Sequence, residues 1–102
     1  MLLVLAEARI DPAKLSEVRA LARQMIEASR AEEGCVSYDY AVDLLEPDLL
    51  RVIERWKDWQ ALHDHFATPH MAAFGKALRA VAPKSVTVKC YELGAERKMP
   101  GS

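Results

Sequence analysis

The chain has 102 residues, 51% of them apolar, enough for one modest core and too few for two independent domains. Fourteen basic side chains against fifteen acidic ones leave a formal charge of −1, so no net field draws nucleic-acid phosphates or an anionic membrane surface. No apolar run approaches the roughly 20 residues of a membrane-spanning helix, and the leading MLLVLAEARI lacks a basic flank and is interrupted by Glu7 and Arg9, so a strand in a cytoplasmic protein is expected.

Leu2 to Ile10 has the aliphatic content of that first strand. Asp11-Pro12 then starts a helix, with an Asx cap and a proline whose missing N–H costs nothing at the first helical position. Leu15, Val18, Ala22, Met25 and Ser29 recur at spacings of three and four, widened by Leu21 and Ile26, and predict a one-sided helix to about Ala31. Gly34 breaks into a strand over Cys35 to Leu44, and Glu46-Pro47-Asp48 turns it into a third, Leu49 to Trp56. Asp58 caps a short helix on which Trp59, Leu62 and Phe66 share one face. Thr68-Pro69 starts the next, with Met71, Phe74, Leu78 and Val81 as its stripe. The last strand is Ser85 to Leu93, and a polar tail follows from Glu96 to Ser102.

The order strand, helix, strand, strand, helix, strand predicts an α+β, ferredoxin-like βαββαβ domain over residues 1–95, an antiparallel four-stranded sheet with helices on one face. Alternation places Leu2, Val4, Ala6 and Ala8 opposite Leu3 and Leu5, Leu50, Val52 and Trp56 opposite Leu49 and Ile53, and Val86 and Val88 opposite Tyr91 and Leu93. Both faces carry large apolar residues, so a homodimer through the uncovered face is expected.

Motifs with strong spacing signatures are missing: there is no glycine-rich phosphate loop, GxSxG or HExxH. Cys35 and Cys90 read as two thiols in a reducing compartment. What stands out is Trp56, Trp59, His63, His65, Phe66, His70 and Phe74 within nineteen residues, including all three histidines. His63 and His65 would stand about 200° apart on a helix, and a helix break separates His65 from His70, so no metal is expected. Periodicity favours core packing for Trp59, Phe66 and Phe74, and it would choose His63 over His65 for the apolar face.

Glu54-Arg55-Trp56, Leu62, His65, Thr68-Pro69-His70-Met71 and Phe74 together resemble the signature of the antibiotic-biosynthesis monooxygenase family, especially its quinol-oxidising branch. Glu33-Gly34-Cys35 and Tyr38 resemble the same family's entry to its second strand. The resemblance implies a dimer with a pocket between sheet and helices, and oxidation of a quinol or polycyclic phenol by O₂ without metal, flavin or other cofactor. It implies His65 as the base, with Trp56, Phe66, Met71 and Phe74 shaping the cavity and His70 or Tyr40 hydrogen-bonding the substrate oxygen. The haem-degrading branch uses an Asn, Trp and His set, and Ala8, His65 and Gly75 stand at those places here. Two other readings stay open. One is an isomerase or processing enzyme for a small phosphorylated signal-sugar derivative, using Arg55, Lys57 or Lys76. The other is a non-catalytic stress-response dimer that binds a small molecule.

Overall fold

The computed structural model describes residues 1–102. Its elements are β1 (Leu2–Arg9), a 3₁₀ turn (Pro12–Lys14), α1 (Leu15–Arg30), β2 (Cys35–Val42), β3 (Leu49–Trp56), α2 (Trp59–Phe66), α3 (Pro69–Val81) and β4 (Ser85–Glu92). The strands form one antiparallel sheet in the order β2-β3-β1-β4, the expected ferredoxin-like α+β topology. No helix is long and apolar enough to cross a membrane.

Local chemistry explains the element ends. The Asp11 carboxylate accepts from the Ala13 amide, but Pro12 opens a 3₁₀ turn, so α1 proper begins only at Leu15. Asp58 caps α2 through the Ala61 amide, and Thr68 caps α3 through the Met71 amide. In the β2–β3 hairpin the Asp43 side chain accepts from the Leu45 and Glu46 amides and pairs with Arg51, which ends β2 at Val42, two residues before the expected Leu44.

Register sorts the strand residues by face. Leu2 lies opposite Trp56, Val4 opposite Glu54 and Ala8 opposite Leu50, and across β2 Tyr38 lies opposite Glu54 and Tyr40 opposite Val52. These side chains meet the buried Val18, Ala22 and Met25 of α1 in a core that continues to Leu62 and Val81. Leu21, expected to widen the α1 stripe, is exposed. The other sheet face carries Leu3, Leu5, Ile53 and Tyr91 among Glu7, Arg51, Arg55 and Lys89.

Two features depart from a closed domain. All eight residues of β4 are exposed, including Val86 and Val88 on the helix side, because α3 leans mainly on α1 and leaves this edge of the sheet uncovered. Every residue from 84 to 102 is exposed. The short α2 also differs from its predicted stripe. Trp59 and Phe66 are 60% and 61% exposed while Leu62 and His65 are buried. Only about two turns of α2 meet the sheet, so the i, i+3 pair Leu62 and His65 points inward and the helix ends turn to solvent.

Candidate functional site

Three segments converge at one end of the sheet. The link from α1 to β2 carries Glu32, the last turn of α2 carries His65, and the first turn of α3 carries His70. The Thr68 hydroxyl ties the two helices at their break: Oγ1 donates to the His65 carbonyl at 2.7 Å and accepts from the Met71 amide at 3.3 Å. Folding thereby brings together two histidines that sequence spacing kept apart. Oε2 of Glu32 lies 2.7 Å from Nδ1 of His65 and 2.8 Å from Nε2 of His70. A carboxylate only accepts, so each of these ring nitrogens presents an N–H to it.

The three side chains place their donor atoms within 4.8 Å of one another, a set that could surround a cation. Tetrahedral zinc with ligands near 2.0 Å spaces them about 3.3 Å apart. The observed 2.7 and 2.8 Å separations are shorter and match charge-assisted hydrogen bonds.

His65 is 1% exposed and packed among aromatic rings. Its ring centroid lies 4.4 Å from that of Trp56, tilted by 39°, 5.7 Å from Tyr38 and 5.8 Å from Phe66, edge-on. Nδ1 is the ring nitrogen of His65 that is hydrogen-bonded, and Nε2 makes no hydrogen bond within the chain.

Beneath the ring, Glu54 is 9% exposed, and its Oε1 accepts from the Trp56 indole N–H at 2.9 Å. Burial pushes the Glu54 carboxyl up, opposed by that N–H and by the charge of His65. Burial also pushes Tyr40 up to about 12, and Tyr38 rises for the same reason with the Tyr40 hydroxyl 3.4 Å away. Tyr40 therefore stays protonated at neutral pH and can donate to a substrate oxygen.

The residues expected from the sequence divide between three places. Trp56, His65 and His70 meet around Glu32 and Glu54. Tyr40 pairs with Phe74, centroids 6.0 Å apart, and Met71 joins them at the margin of the core. Phe66 touches His65 only by its edge and is largely exposed, so it encloses no cavity within one chain. His63 faces solvent beside Trp59. A groove of about 950 Å³ lies elsewhere, between α1 and the β2 edge; Tyr40 is the one expected site residue in it.

Glu32 and Glu54 were not assigned roles from the sequence. Glu54 was legible, since it shares the parity of Val52 and Trp56 and so places a carboxylate on the core-facing side of β3. Glu32 sits in a turn beside Glu33, where charge reads as solvated and no periodicity applies.

Comparison with known proteins agrees with this fold. The sequence profile described as Antibiotic biosynthesis monooxygenase matches residues 1–77. A Synechocystis protein named "Uncharacterized protein sll1783" is 32% identical over 92 residues, 90% of this chain, which spans only 63% of that relative's length. The Escherichia coli K12 protein named "Probable quinol monooxygenase YgiN" is 32% identical over 89 residues, 78% of this chain and 86% of the relative. A solved structure titled as an antibiotic biosynthesis monooxygenase superposes with a TM-score of 0.83 at 32% identity, over 93% of this chain and 100% of that one. With the profile covering three quarters of its residues and relatives at 32% identity, the chain belongs to the antibiotic biosynthesis monooxygenase family.

Proposed function

We propose that the chain is a cofactor-independent monooxygenase that oxidises a quinol or polycyclic phenol with O₂, using His65 as the base. The observation that carries this reading is a buried imidazole stacked on Trp56 whose Nε2 remains unbonded. Nε2 takes the hydroxyl proton, and the electron-rich phenolate passes an electron to O₂. Carbon–oxygen bond formation at the ring follows, and the O–O bond then breaks. One oxygen atom stays on the product quinone and the other leaves as water. Tyr40 donates a hydrogen bond to the substrate oxygen, while Trp56, Met71 and Phe74 present apolar surface to the rings.

The phosphate-processing alternative receives less support. Arg55 sits on the opposite sheet face and donates to Ser37, and Lys76 is exposed. Lys57 lies in a surface hollow with Glu32, Glu33, Asp58 and Asp64, an acidic setting that repels phosphate.

We also propose a cytoplasmic homodimer built through the open sheet face. Its support is surface: the single chain exposes 7280 Å², whereas a compact monomer of 11.4 kDa exposes about 5800 Å². The surplus, about 1500 Å², is of the size that a large obligate homodimer interface takes from each partner. Cys35 and Cys90 lie on the two opposite edge strands, which suits free thiols in a reducing compartment.

Oxygen uptake with a panel of naphthoquinols tests the enzyme reading. The expected result is turnover that falls about 10²- to 10⁴-fold in His65→Ala. Equal uptake by wild type and this variant on every accepted substrate would remove His65 from the mechanism.

A further inference from the structure

We propose that Glu32 is a positioning residue that holds His65 in the tautomer with hydrogen on Nδ1, and that His70 braces Glu32 from the solvent side and does not bind substrate. The inference rests on the reading of His65 as the base and names what makes it one. A neutral imidazole carries one ring hydrogen, so an Nδ1–H committed to Glu32 leaves Nε2 as a bare acceptor. That bare nitrogen is the one without a hydrogen-bond partner on the ring packed against Trp56.

The bracing follows from how one oxygen is shared. Oε2 has two lone pairs, and His65 and His70 fill both. His70 spends its Nε2 hydrogen on Glu32, so that donor is unavailable to a substrate in this arrangement. Side-chain exposure rises from 2% at His65 through 16% at Glu32 to 24% at His70, so the carboxylate lies between a buried ring and a ring at the surface. Each of the three comes from a different segment, so the contact also fixes the last turn of α2 against the α1–β2 link. When Nε2 takes the substrate proton, the adjacent carboxylate stabilises the imidazolium that forms.

Two measurements test this, one of them independent of turnover. In ¹⁵N spectra of histidine-labelled wild-type protein, at a pH where the rings are neutral, His65 should show a protonated Nδ1 and bare Nε2, and His70 a protonated Nε2. His65 protonated at Nε2 would overturn the proposal whatever the enzyme does. In kinetics with an accepted quinol, Glu32→Gln should lower kcat about 10²-fold with little change in KM, because charge is lost while shape is kept. His70→Ala should lower kcat about tenfold, and His70→Gln, which can place an amide N–H near the same point, should recover most of that. Unchanged kcat in Glu32→Gln, with His65→Ala inactive, would sink the positioning role and leave the base standing. If His65→Ala is as fast as wild type, the base reading falls, and the tautomer measurement alone decides whether Glu32 sets the ring.

Discussion

At the scale of single residues, Glu54 carries the clearest pH signature. Its carboxyl is raised by burial in the folded chain, so the folded state holds its proton more tightly than the unfolded state does. Stability contributed by the neutral form is present below the ordinary glutamate range and is lost as pH rises through the folded value. Glu54→Gln keeps an acceptor for the Trp56 indole and should flatten that decline, raising Tm at neutral pH in thermal melts compared across pH. Ala82 gives a second test. It ends α3 with φ at +54°, a left-handed conformation that costs a residue with a Cβ about 1 kcal/mol. Ala82→Gly should gain about 0.5–1 kcal/mol in urea unfolding with no effect on turnover.

At the scale of elements, capping and periodicity predict the helix starts because each depends on neighbours in the chain: Asp58 and Thr68 bond amides three residues on. Strand faces were equally legible from alternation. The inward face of α2 was not, because a helix of eight residues is oriented by what it packs on, and Leu62 and His65 displaced the pair Trp59 and Phe66. The same limit hid Glu32, whose partners lie 33 and 38 residues away. Gly34 shows how tightly α2 is seated. A Cβ there would collide with the Ala61 side chain. Gly34→Ala should therefore destabilise by about 1–3 kcal/mol and displace α2 with its histidine, lowering activity more than stability alone explains. Activity measured well below the variant's Tm separates the two effects.

At the scale of the whole molecule, the single chain is expanded. Its radius of gyration is 14.6 Å, against about 13 Å for a compact chain of this length. Sedimentation at micromolar concentration should give a dimer. Leu5 lies at the middle of the open face, opposite Ile53 and Lys89, so Leu5→Arg places a charge beside a like charge and should shift the species toward monomer. A wild-type monomer at that concentration would defeat the paired assembly. Thr68 carries a further consequence at this scale. One hydroxyl both closes α2 and opens α3, so the two histidine-bearing helices meet at a single hydrogen-bonded corner. The two rings that converge on Glu32 thus stand on helices joined through a single side chain.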